Sequence, residues 1–136
     1  MNINGLELPA TLESNLSGQP TLLTVAQKKQ LAKFLTATET AFPELFDRER
    51  VNEANLFWNS AHVEQYLGSE SQSSKPGDID KNKTVIIGQA EPDSPLVLDY
   101  RTCPPRILYF ADSGYWVELC QSYDALMSLI GKEPTD

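Results

Sequence analysis

The apolar residues of this chain change period once, and that change restricts its possible folds more than any other feature. Before residue 84 they recur mainly at helical spacing. From Thr84 onward they form short β-branched or aromatic runs separated by turn residues. Thr84-Val85-Ile86-Ile87-Gly88 predicts a buried strand. Glu91-Pro92-Asp93-Ser94-Pro95 is a turn, and Leu96-Val97-Leu98-Asp99-Tyr100 a second strand. Pro104 and Pro105 keep the next connection out of the sheet, because proline has no N–H for a ladder. Arg106-Ile107-Leu108-Tyr109-Phe110 is a third strand. Asp112-Ser113-Gly114 makes a hairpin loop, the glycine supplying a positive φ, and Tyr115 to Leu119 is the fourth strand. Ser122 caps a closing helix from Tyr123 to Ile130, with Asp124 near its positive end and Gly131 as its stop.

Helices come first. Pro9 to Leu16 predicts a short one, with proline in its first turn and Gly18 just past its end. Thr24-Val25-Ala26-Gln27 matches a capping box, in which the threonine oxygen takes one orphan N–H and the glutamine reaches back. Leu31, Phe34, Leu35 and Thr38 follow on one stripe, predicting a helix from Val25 to Thr40 that Pro43 ends. Asp47-Arg48-Glu49-Arg50 suggests a solvated surface, and Leu56-Phe57-Trp58 a short strand or tucked turn. Asn59 or Ser60 caps a further helix to Leu67, stopped by Gly68. Ser69 to Lys83 predicts a polar loop. The expected architecture is therefore one α+β domain over residues 1–136. Its helices pack against one face of a four-stranded antiparallel meander.

The formal net charge of −8 argues against nucleic-acid binding, which works by phosphate neutralisation. An anionic membrane surface is disfavoured for the same reason. The charge admits a basic protein partner and equally suits solubility alone. Two cysteines, Cys103 and Cys120, form no disulfide framework, and no run of ~18 apolar residues occurs. The start of the chain lacks the pattern of a signal peptide, so the expected compartment is the cytoplasm.

The residues carry little catalytic signal. His62, the only histidine, sits among polar neighbours in a predicted helix. No Gly-x-Ser-x-Gly elbow or glycine-rich phosphate loop occurs, and Ser113 is explained by its turn. Lys75 to Asn82 has alternating oxygen-bearing side chains but not the glycine and late glutamate of a calcium loop. Glu91 and Asp93 flank prolines in a turn, and Cys120 has no adjacent base. No enzyme activity, metal or cofactor is expected.

The C-terminal half resembles the SUKH superfamily, which includes fungal cell-wall-assembly regulators and bacterial immunity proteins. The resemblance covers residues 84–131. Its elements are Ile86-Ile87-Gly88, the acidic turn, Leu96-Val97-Leu98-Asp99, Ile107-Leu108-Tyr109 and Ser122-Tyr123-Asp124-Ala125-Leu126-Met127. The N-terminal half departs from the family pattern, with Leu8-Pro9-Ala10-Thr11-Leu12 almost at the start. The resemblance implies a non-enzymatic binding domain. Bacterial members neutralise a toxin, often a nuclease, and fungal members act as regulatory interaction proteins. A basic toxin would suit the acidic chain by complementarity.

Alternation along the fourth strand places Tyr115, Val117 and Leu119 on one face and Trp116 and Glu118 on the other. With Val117 and Leu119 as the core pair, Trp116 faces the open side, where Asp99 joins Glu118. Tyr115 and Asp112 in the adjoining turn complete an acidic, aromatic candidate surface for a partner. The competing reading covers Trp116 with segment 69–83 or with the N-terminal segment. The sequence leaves the oligomeric state open.

Overall fold

The computed structural model describes residues 2–17, 24–34, 43–60, 67–68, 76–91, 94–110 and 114–130. It is an α+β structure. A small hairpin, β1 (Asn2–Ile3) and β2 (Leu6–Glu7), precedes helices α1 (Ala10–Ser17) and α2 (Val25–Phe34). Then come β3 (Glu44–Leu45), α3 (Arg48–Ser60), β4 (Pro76–Gly77) and a short 3-10 turn over Lys81–Lys83. The chain ends in β5 (Thr84–Glu91), β6 (Ser94–Asp99), β7 (Arg106–Phe110), β8 (Trp116–Cys120) and α4 (Tyr123–Leu129).

The expected meander is present as β5-β6-β7-β8, each strand antiparallel to the next. It sits inside a wider sheet of six strands, in the order β3-β5-β6-β7-β8-β4. The two added edge strands are two residues long, too short to show any period. β4 therefore corrects the reading of residues 69–83 as loop throughout; of that segment, 69–75 lie outside the described residues. The first hairpin turns at Asn4 and Gly5, whose φ values are 56° and 80°. Two successive positive φ angles match the right-handed twist of a tight hairpin, and Asn-Gly adopts them at low cost.

Several local signals form as expected. The Thr24 N–H donates to Gln27 Oε1 at 2.9 Å and the Gln27 N–H to Thr24 Oγ1 at 3.1 Å, closing the capping box of α2. The second half of that predicted helix, from Leu35 on, lies outside the described residues. Ser122 Oγ accepts from the Ala125 N–H at 3.1 Å and caps α4. Gly114 has φ 84° beside the hairpin loop.

The sheet is cored on both faces, which corrects the expectation of one open face; helices α1, α2 and α4 do pack on the first. On the first face, Leu12 of α1, Leu31 of α2 and Leu126 and Met127 of α4 pack over Val85, Leu98 and Ile107. On the second, Trp58, Ile79, Ile86, Val97, Leu108 and Trp116 form a separate cluster. The strands needed burial on both sides, and their unbroken apolar runs carry that signature.

α3 is the largest departure from the sequence reading. Asp47 Oδ1 accepts from the Arg50 N–H at 2.9 Å and starts the helix, which runs through the supposed strand at Leu56-Phe57-Trp58. Asn59 and Ser60 lie in its last turn rather than at the start of another helix; residues 61–66, with His62, are outside the described residues. Val51, Asn55 and Trp58 are buried, a spacing of four and three that lines one side. Val51 enters the first core and Trp58 the second, so α3 lies along the β5 edge of the sheet.

Asn55 bolts the helix to that edge. Its Nδ2 donates to the Ile86 carbonyl at 2.9 Å and to the Val51 carbonyl at 2.8 Å, and its Oδ1 accepts from the Ile86 N–H at 2.8 Å. β3 pairs only with Gly88 and Gln89, so the side chain serves Ile86 as an extra strand residue would. Trp58 Nε1 adds a bond to Thr84 Oγ1 at 3.1 Å.

At Gly88 the ladder shifts register, and a Cβ there would collide with the Glu44 carbonyl of β3. Gly88→Ala is therefore expected to push β3 off the edge at a cost of about 1–3 kcal/mol. A urea melt measures it, and an unchanged midpoint would refute the contact.

Candidate functional site

The far end of the second face gathers charge. Asp99 ends β6 opposite Arg106 at the start of β7, and Glu118 on β8 lies opposite Leu108. Alternation puts Asp99, Arg106 and Glu118 on the side of Val97, Leu108 and Trp116, as the sequence phase requires. The Asp99 side chain is 0% exposed. Its oxygens accept from the Arg101 N–H at 3.1 Å, Arg101 Nε at 3.0 Å and Arg106 Nε at 2.8 Å. Arg101 reaches on to the Asp78 carboxylate at 3.0 Å and to its carbonyl at 2.7 Å. Arg106 lies 3.6 Å from Glu118 Oε1. Thr102 Oγ1 accepts from the Arg106 N–H at 3.1 Å and donates to the Pro104 carbonyl at 2.9 Å, fixing the connection between the two arginines.

Burial pushes the Asp99 carboxyl up, but the bonds from Arg101 and Arg106 outweigh it and hold the group below the usual carboxylate range. Burial disfavours charge on Arg101, and its bonds to Asp99 and Asp78 reverse that, so it stays cationic. A carboxylate this enclosed and this saturated has no proton to exchange near neutral pH. It works as a clasp joining β6, β7 and the segment at Asp78. The outer carboxylates, Asp78 and Glu118, remain 42% and 41% exposed.

The expected surface is thus only partly present. Asp99 and Glu118 do share a face with Trp116. That face is core, however, and Trp116 is 0% exposed, which corrects its assignment to an open side. Its ring meets Trp58 edge-on at 6.5 Å between centroids and Phe110 at 5.2 Å. Leu67 and Ile79, on the segments either side of residues 69–75, pack in the same cluster. Val117 and Leu119, taken as the core pair, are half-buried against the first core. Tyr115 is half-buried, and Asp112 lies outside the described residues.

Exposed apolar surface occurs elsewhere. On α3, Leu56 is 71% and Phe57 64% exposed, on the side opposite Val51, Asn55 and Trp58. Glu49 and Glu53 precede them on the same side and are also exposed. The sequence held the signal, since Val51, Asn55 and Trp58 keep helical spacing, but a polar asparagine in the buried stripe hid it.

Among the described residues, no group of three or more His, Cys, Asp and Glu could hold a metal ion, and no helix is long and apolar enough to cross a membrane. The fold and these two surfaces define an α+β protein with an antiparallel sheet packed on both faces. The chain matches no family model, no curated protein and no solved structure at a significant level.

Proposed function

We propose that this chain is a non-enzymatic, cytoplasmic protein-binding domain of the SUKH type, acting as an immunity protein that neutralises a cognate toxin. The observation that supports it is the order of elements from Thr84 to Leu129. An antiparallel meander of four consecutive strands runs directly into a helix packed on its first face. That is the arrangement the sequence resemblance implies for residues 84–131.

The charge gives the partner its chemistry. A chain of net charge −8 repels nucleic acid and anionic lipid and attracts a basic protein surface. A nuclease toxin has such a surface, because its own substrate is a polyanion. Asp78 and Glu118 present carboxylates at one end of the sheet, and Glu49 and Glu53 do so on α3.

The test is affinity capture from the native host with this chain as bait, followed by mass spectrometry. The expected catch is a stoichiometric toxin domain of basic pI, released by added salt. Recovery of a signalling or cell-wall protein instead would replace immunity with a regulatory interaction role, and an empty bait would remove the protein-binding reading.

A further inference from the structure

The surface that a partner could use lies on α3 rather than on the sheet. The sheet's second face is filled by Trp58, Ile79 and Trp116, and the Asp99 clasp is occupied by its own arginines. The outer side of α3 has the opposite character. We propose that this side, centred on Leu56 and Phe57 and flanked by Glu49 and Glu53, is the docking surface for a protein partner with an apolar pocket rimmed by lysine or arginine. This rests on the protein-binding reading above and names where and how the partner is held.

Three features support it. Two adjacent large apolar side chains stand 71% and 64% exposed on a helix whose opposite side is well buried. Apolar anchors inside a polar rim are the usual composition of a protein interface. The helix is rigid where it presents them, because Asn55 and Trp58 hydrogen-bond it to β5 one residue on either side of the pair. A pre-ordered anchor loses little conformational freedom on binding. The face is also acidic, because Arg50 is drawn off it: its guanidinium pairs with Glu44 at 2.6 Å and stacks 4.0 Å over the Phe46 ring.

Charge also selects among occupants. A second copy docking by the same face would offer Glu49 and Glu53 no complementary charge. A basic rim gains where a like surface loses.

The experiment runs the capture with two baits in parallel, the wild type and Leu56→Ser/Phe57→Ser. Both side chains are more than half exposed, and a melt of the double variant, recorded first, checks that it stays folded. The inference expects the wild type to hold a basic partner that the double variant loses. With the purified pair, the double variant should weaken Kd by at least about thirtyfold. Glu49→Gln/Glu53→Gln should slow association several-fold and flatten its salt dependence. If both baits hold the partner equally, the α3 surface is wrong and the protein-binding reading stands. If neither bait holds a protein, that reading fails and this inference with it. An α3-dependent dimer of the chain alone, seen by sedimentation, would assign the face to a second copy and overturn the proposal.

Discussion

Replacing Asn55 with leucine should lower the unfolding free energy by about 2–5 kcal/mol. The side chain is 1% exposed and supplies both hydrogen-bond partners that Ile86 has on the side of the sheet away from β6. Leucine fills similar space but leaves the Ile86 N–H and C=O buried without partners, and each such group costs roughly 1–3 kcal/mol. Urea denaturation measures the loss, and a change under about 0.5 kcal/mol would sink the account. Aspartate at the same position separates hydrogen bonding from shape. It keeps the acceptor for the Ile86 N–H but sets a buried carboxylate against the carbonyls of Ile86 and Val51. Its folded pKa should lie above the unfolded value of about 3.9. The variant is then closest to wild type below that pH and loses stability as pH rises through the folded pKa. An Asn55→Asp variant equally destabilised at pH 3.5 and pH 7, relative to wild type, would contradict the geometry.

The second large effect is expected at Asp99. Asp99→Asn leaves Arg101 and Arg106 beside a neutral amide. Removing one partner of a buried ion pair costs roughly 3–5 kcal/mol. The arginine side chains are 26% and 21% exposed and keep Asp78 and Glu118 in reach, so the cost should fall at the low end, about 3 kcal/mol. The pH dependence has a definite sign. The folded pKa of Asp99 is depressed, so its contribution is complete above its ordinary value of 3.8 and drains away as pH falls through the lower folded value. The asparagine variant should therefore differ most from wild type near neutral pH and converge with it in acid. Parallel melts from pH 7 down to pH 2 test this, and a gap that stays constant would show that the clasp contributes nothing through charge.

Both sites show how unevenly the sequence discloses structure. The phase of Asp99 relative to Trp116 and Glu118 is legible in the sequence, because alternation along a strand is a local geometric rule. Its partners are not. Arg101 and Asp78 are separated by 23 positions in the chain, and no periodic signal links them. Asn55 failed differently. A polar residue in a buried stripe breaks the apolar period by which helices are found, so 47–50 reads as a solvated surface and 56–58 as a short strand or tucked turn. The asparagine is tolerated there only because the β5 edge supplies its partners, 31 positions away.

The Asn4-Gly5 turn is a signal of the strong, local kind. Asn-Gly between alternating residues predicts a tight hairpin without any tertiary information. The short edge strands β3 and β4 are the contrary case, two residues each, formed only because β5 and β8 offer an unpaired edge.

The elements whose stability is local are legible in the sequence: the capping box at Thr24, the Ser122 cap, the meander from β5 to β8 and the helix that closes it. These follow from propensity, turn chemistry and periods of two and 3.6 residues, which act over a few positions. Which faces are open is a matter of long-range packing. Trp116 and Leu56 both carry large, mainly apolar side chains, yet one is sealed in the second core and the other stands in solvent. Alternation assigns a side chain to a face, but burial depends on what other segments lay across it, and that is settled by contacts between residues far apart in the chain.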